Sequence, residues 1–338
     1  MDRRVLRPLR PQGRRAGLLR AVQGALGTAV VLALLAWWLV PSAGPAYPHR
    51  PLSFATGVAN GVYEKYGMLL QGDLRTALPG VRVTLEHTEG SVDNIKRVAS
   101  GRSDFTIAAA DAVASYDGPG KSRLRAVARL YDDYMQLIVP RDSPVQSIRD
   151  LRGKTVGIGQ EGSGVSLITH RLFQAAGMDI DKDVTAEPVG IDQAPAMLLD
   201  GKLDAFFWSG GLPTAAVTAM ATPLARIRLV QLGDQVASLH AMGPEMAYYR
   251  QAAMPADAYP SAQQGKAVPT VAVPNLLITT DRADAGLVER LTRAVIDSRD
   301  TIGTVVHAAQ LVDLRTAVFT DPLPLHQGAV RYYRSVKP

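Results

Sequence analysis

Cysteine is absent from the 338-residue chain. That excludes a disulfide framework, thiolate chemistry, cysteine-based zinc or iron-sulfur sites and a lipid-modified N-terminal cysteine, and by itself it names no compartment. Surplus charge is also missing from most of the chain. Of 37 basic and 31 acidic residues, the first 46 positions hold seven arginines (Arg3, Arg4, Arg7, Arg10, Arg14, Arg15, Arg20) and Asp2, so 30 of each sign remain beyond them. The net charge of +6 therefore belongs to the N-terminal end, and a neutral body gives no reason to expect a nucleic-acid partner. From Ala21 to Pro48 charge disappears altogether. With 47% apolar and 20% charged residues the chain is not a disordered one, and its length suffices for two domains with real cores.

The arginines followed by an apolar run read as a cytoplasmic basic n-region over residues 1–20 and a signal peptide or membrane-anchor helix over 21–47. The centre of that run, AVVLALLAWWLV, is strongly apolar. By the positive-inside rule the arginines stay in the cytoplasm and the rest is exported. Gly44 and Ala46 make a passable small-residue cleavage site. Against cleavage, roughly twenty apolar residues suffice to cross a bilayer, and Trp37 and Trp38 stand where an interfacial aromatic belt would lie. The expected location is the outer face of the cell membrane if the segment is retained, and periplasmic or secreted if it is removed. The surroundings of Arg14 and Arg15 fit a twin-arginine signal poorly.

The exported part is organised around Lys154–Gly177, KTVGIGQEGSGVSLITHRLFQAAG, a strand, a glycine-rich turn and a helix starting near Ser163. The free N–H groups and positive dipole end of such a helix make a seat for an anion such as a carboxylate; the alternative is an ordinary connection whose glycines only permit the turn. Earlier, a strand at Leu52–Ala55 leads through Thr56, Gly57, Val58, Ala59, Asn60 and Gly61 into a helix from Val62 to Leu78. A strand at Val81–Leu85 then precedes a helix with Ser91 as its candidate N-cap, and a buried strand, Phe105–Ala110, ends at Asp111. Alternating strands and helices predict α/β layering with mainly parallel sheets, and ligands then bind beyond the strand C-termini, where the turns at 56–61, 90–94 and 159–164 all fall. Leu124–Leu130 and Met135–Val139 read as successive strands, as do Val268–Val273 and Leu276–Thr280. Two such crossings between lobes would make a hinge.

An echo links Ala99–Phe105, ASGRSDF, with Leu199–Ala205, LDGKLDA: helix, Gly, basic residue, Asp, strand. Asp104 and Asp204 are expected to bond locally to backbone there. Constellations that carry chemistry are few. The six histidines lack metal-ligand spacing. Glu161 occupies the first position of what would be a G-x-S-x-G elbow around Ser163, so an esterase is not expected. Gly157–Gly162 matches G-x-G-x-x-G, yet it falls in the second lobe of an exported chain, where nicotinamide cofactors are rare. The acidic pairs Asp132 with Asp133 and Glu86 with Glu89 are expected to face solvent. No cofactor, no metal and no enzymatic activity are expected.

From Leu52 to Lys337 the chain resembles the TAXI-family solute receptors of TRAP transporters. The resemblance is carried by FATGVANGVYEKYG (Phe54–Gly67), EGSVDNIKRVASGRSDFTIAAADA (Glu89–Ala112), LRAVARLYDDYMQLIV (Leu124–Val139), DLRGKTVGIGQEGSG (Asp150–Gly164), DGKLDAFFWSGGLPT (Asp200–Thr214), VPTVAVPNLLIT (Val268–Thr279) and LHQGAVRYYR (Leu325–Arg334). It implies an α/β, two-lobe, hinged periplasmic-binding-protein (type II) fold, with lobe 1 formed by 48–138 and 269–338, lobe 2 by 139–268, and a ligand cleft between them. It implies a receptor that captures a small organic acid or amino acid of the glutamate, glutamine or 2-oxoglutarate class and delivers it to a membrane permease. A membrane-tethered sensor or partner-presenting protein on the same fold is the alternative. The implied cleft residues are Thr56, Gly57, Asn60, Gly61, Tyr63, Ser91, Asn94, Asp111, Gly162, Ser163, Gly164, Ser166, Trp208, Gly211 and Pro213. Val58 and Val165 stand where the family usually has hydroxyl residues, Trp208 where a smaller polar one is common, and Glu161 brings a negative charge beside the anion seat. A site less polar than the family norm is expected.

Overall fold

Two strands, β4 (Leu124–Pro140) and β10 (Val268–Thr280), are longer than the usual strand of a globular protein, and the sheet extends outwards from them on both sides. In the computed structural model residues 47–48, 50–222 and 227–336 are described. The basic n-region and nearly all of the expected signal or anchor segment lie outside these residues. Among the described residues no helix is long and apolar enough to cross a membrane.

The chain begins β1 (Leu52–Gly57), α1 (Val62–Ala77), β2 (Val83–His87), α2 (Ser91–Ser100), β3 (Phe105–Ala109) and α3 (Ala110–Ser115), then enters β4 (Leu124–Pro140). It continues through β5 (Thr155–Gly157), α4 (Gly164–Ala175), β6 (Thr185–Glu187), α5 (Ala194–Leu199), β7 (Ala205–Gly210) and α6 (Ala215–Met220). Strands β8 (Ile227–Val230) and β9 (Arg250–Met254) precede β10 (Val268–Thr280), and α7 (Ala285–Asp297) and α8 (Gln327–Val336) follow it. The strand order is β2-β1-β3-β10-β4-β7-β5-β6, with β8 beside β4 and β9 beside β10.

Strand β1 runs parallel to β2 and β3, and β5 parallel to β6 and β7, as the alternation of strands and helices requires. The expectation of mainly parallel pairing fails at the centre. There β10 is antiparallel to β3, β4 and β9, and β4 is antiparallel to β7 and β8, so the sheet is mixed. The two expected pairs of successive strands are also each one continuous strand. Asp132 and Asp133 look like a break in β4, but Asp132 pairs with Arg129 at 2.7 Å and with Arg250, which lets extended backbone continue. Pro274 looks like a break in β10, where a missing N–H would spoil a ladder. It is tolerated because the β4–β10 register shifts between Pro274 and Leu276.

Apolar burial follows the two ends of the sheet. Tyr66, Leu70 and Leu74 form one stripe of α1 and pack with Phe54, Leu277, Leu291 and Tyr333. Ile95, Val98, Leu276 and Ile278 fill the opposite face of that end. Around β5 and β7 a separate core gathers Leu137, Val156, Leu172, Phe173 and Phe206. The sequence echo is a repeated joint. Gly101 and Gly201 take φ of 78° and 71°, turning each helix end, and Asp104 and Asp204 each accept from a backbone N–H at 2.8 Å. Those donors are Ser53 at the start of β1 and Thr155 at the start of β5. The carboxylates therefore pin a neighbouring strand across long sequence separations and do not bond locally.

Candidate functional site

The turns after β1, before α2 and before α4 converge with the ends of β3 and β7 around one cavity of about 60 Å³. At roughly 10–15 Å³ per water-sized occupant, that is room for a handful of water-sized groups. Nine residues expected from the sequence reach its wall. Thr56, Gly57, Gly61 and Tyr63 come from β1, α1 and their connection; Ser91 opens α2, and Asp111 lies in α3 just past β3. Ser163 and Gly164 come from the start of α4, and Trp208 from β7.

Six do not line it. Asn60 is exposed, at φ 63°, with its N–H on Glu64 at 2.7 Å. Asn94 is fully buried beneath the wall, accepting from the Thr88 hydroxyl and donating to the Ile107 carbonyl at 2.9 Å. Ser166 gives its N–H to the Ser163 side chain at 3.0 Å. Gly211 is buried against Ala308 with no room for a Cβ, and Pro213 is exposed. Gly162 turns its carbonyl away to α2, accepting from the N–H groups of both Val92 and Asp93 at 3.1 Å.

That last contact joins the turn before α4 to the start of α2. The Val92 and Asp93 N–H groups of α2 are spent on Gly162, so those two are not free for a ligand. Gln160 donates to the Glu89 carboxylate beside it. Gly90 makes the approach feasible: its φ of 119° suits only glycine, and a Cβ there would sit 3.3 Å from the Ser163 Cα. Gly90, and not Ser91, is the N-cap of α2. The Ser91 hydroxyl is used inward, accepting from the Ala109 N–H at 3.2 Å and lying 3.2 Å from the Tyr63 hydroxyl. Deeper, Arg171 of α4 meets Asp111 at 3.2 Å and donates to the Tyr249 hydroxyl at 2.6 Å and to Ser115. Tyr249 in turn donates to Asp111 at 2.6 Å. Burial pushes the Asp111 carboxyl up, against the lowering effect of Arg171 and Tyr249.

The start of α4 keeps its expected form. Ser163 is the N-cap and accepts from Ser166, and no described residue accepts from the Gly164 or Val165 N–H, so the positive helix end faces the cavity. Glu161 is exposed and off the wall, so the charge expected beside this seat is not on the wall. Val58, Val165 and Trp208 do line the cavity, joined by Val62, Ile168 and Phe207. Trp208 satisfies its own indole N–H by donating to Thr214 at 3.0 Å, leaving an apolar ring for the wall.

The expected solvent-facing pair Asp132 and Asp133 is divided by the strand. Asp132 takes the ion pairs with Arg129 and Arg250, while Asp133 is 4% exposed and belongs to the wall. Tyr63 donates to Asn275 at 2.5 Å and to Asp133 Oδ2 at 3.3 Å, whereas Asp133 Oδ1 is buried with no hydrogen-bond partner. Burial raises the Asp133 carboxyl to about 7, with Asp132 and Asp111 pushing the same way and Asn275 and Tyr63 opposing. One signal could have found it: consecutive residues of a strand point to opposite faces, so two adjacent carboxylates cannot both face water in a strand covered on one side. Among the described residues no group of His, Asp and Glu is placed to hold a metal ion.

This architecture, a mixed α/β sheet with a cavity where turns from both ends meet, is the periplasmic-binding-protein fold. It is shared with the periplasmic binding protein BugD at 14% identity, over 78% of this chain and 91% of that one, with a TM-score of 0.51. A protein of Bordetella bronchiseptica RB50 is similar at 17% identity over 85% and 90% of the two chains, TM-score 0.51. The alkanesulfonate-binding protein SsuA of Xanthomonas axonopodis pv. citri, solved with MOPS, matches at 16% identity over 87% and 86%, TM-score 0.48. The chain belongs to the NMT1-like family, whose model matches residues 54–336.

Proposed function

We propose that this chain is an extracytoplasmic solute receptor of a TRAP-type transporter, capturing a small organic acid or amino acid and delivering it to a membrane permease. The observation that carries the reading is the cavity itself: the α4 N-terminus supplies a seat for one carboxylate, and the turns at β1 and α2 enclose the opposite side. Its lobes are residues 48–138 with 269–338, and 139–268, and they move about β4 and β10, the only strands shared by both ends of the sheet among those described. The register shift at Pro274 weakens the ladder where bending is needed. Contacts of Gly162 with α2 and of Arg171 with Asp111 belong to the closed form, which excludes water and strengthens the bonds to the solute. The basic and apolar N-terminal segment keeps the receptor at the membrane or directs its export.

A thermal-shift screen of the full-length chain against amino acids, 2-oxo acids, dicarboxylates and aromatic acids tests this, because a solute bound only by the folded state raises Tm. At a hundredfold excess over Kd the stabilisation is about 2.7 kcal/mol. A folded protein that responds to none of these classes refutes the proposal.

A further inference from the structure

Resting on the receptor reading, the solute can be narrowed by the charges around the cavity. Among the described residues no Lys, Arg or His lines it, while Glu89, Asp111 and Asp133 do. Asp111 is neutralised by Arg171, and Glu89 is exposed and takes the Gln160 amide. Asp133 has no basic partner, and its Oδ1 is sealed from water without a hydrogen bond. A buried carboxylate in this state is costly until a donor arrives. Among the described residues the fuller anion seat is the start of α4, since α2 gives its Val92 and Asp93 N–H groups to the Gly162 carbonyl. A second carboxylate on the solute would therefore meet Asp133 or apolar wall.

We infer that the solute is a small primary amine with an apolar body and no more than one carboxylate, its ammonium donating to the Asp133 carboxylate. Its apolar part lies against Val58, Val165, Phe207 and Trp208, and a carboxylate, where present, accepts from the Gly164 and Val165 N–H groups. Dicarboxylates without an amine are disfavoured by the same arrangement. They offer Asp133 no donor and bring a second negative charge into a space with no basic side chain.

The experiment compares matched pairs on the full-length chain by thermal shift and calorimetry: valine with 3-methylbutanoate, leucine with 4-methylpentanoate, and glutamate with glutarate. The expected result is binding by valine or leucine at least tenfold tighter than by the matching acid without the amine, and tighter than by glutarate. Asp133→Asn should weaken valine or leucine tenfold or more while leaving the matching amine-free monocarboxylate unchanged. Equal binding within the pairs, or tightest binding by glutarate, overturns the amine assignment and leaves the receptor reading standing. Amine binding undiminished by Asp133→Asn overturns the assignment to Asp133. A folded chain that binds none of the six compounds, and none of the wider screen, overturns both. If Asp133→Asn does not fold, the pairs measured on the wild-type chain still decide the question.

Discussion

Replacing Asp133 by Asn should change how stability depends on pH, and the size of the effect follows from the site. Asp133 is held at about 7 in the folded protein against an ordinary value of 3.8. A raised carboxyl binds its proton more tightly when folded, so its contribution is intact below about pH 4 and is lost as pH rises towards 7. At about 1.4 kcal/mol per pKa unit the full loss is about 4 kcal/mol, of which about 2–3 kcal/mol falls between pH 5 and pH 8. The amide cannot ionise, so Asp133→Asn escapes that part of the decline, and every other titrating group cancels in the comparison. Burial, which sets the shift, and the neighbours that adjust it, Asn275, Tyr63, Asp132 and Asp111, are unchanged. Thermal denaturation of the ligand-free, full-length wild type and variant should show the Tm difference, variant minus wild type, rising by about 5 °C from pH 5 to pH 8, at about 2 °C per kcal/mol. A difference constant within about 1 °C would refute the argument that Asp133 is sealed from water without a cationic partner.

Arg171→Met should destabilise the chain by about 3–5 kcal/mol in chemical denaturation because it strands the buried Asp111 carboxylate, whereas Arg50→Ala, at the largely exposed Arg50–Asp104 pair, should cost under about 1 kcal/mol. Equal costs would contradict the difference in burial. Gly328→Ala should destabilise by about 1–3 kcal/mol or more, since its Cβ would sit 2.2 Å from the Ala285 carbonyl and force α8 away from α7; unchanged stability would count against that helix contact. Trp208 is the lone described tryptophan of the three in the chain, so a solute filling the cavity should alter an emission component that Trp208→Phe removes. A solute-induced change that survives Trp208→Phe would place the solute elsewhere.

Much of the fold was legible because it depends on local signals. The α1 stripe of Tyr66, Leu70 and Leu74 and the glycine stops at Gly101 and Gly201 state their helices within a few residues. The continuity of β4 and β10 was not legible. It rests on Arg250 reaching Asp132 and on a register shift opposite Pro274, contacts between residues far apart in the chain. The site divided the same way. Turns at strand ends identified Thr56, Gly57, Ser91 and Ser163, whereas Asn94 and Gly162, expected on the wall from the same turns and the family resemblance, are occupied with backbone partners. Asp133 departs from the solvent-facing expectation because the alternation of a strand, and not composition, decides which of two adjacent carboxylates faces water.

The sharing of β10 also fixes an order of completion during synthesis. The core beneath β1 and α1 needs Leu277, Leu291 and Tyr333, which leave the ribosome last, whereas the core around β5 and β7 needs nothing beyond Val273. The portion made first is thus completed last. Until the final sixty or so residues arrive, Phe54, Tyr66 and Leu70 have no finished core to enter, and a chain in that condition exposes apolar surface that the last-made helices must cover.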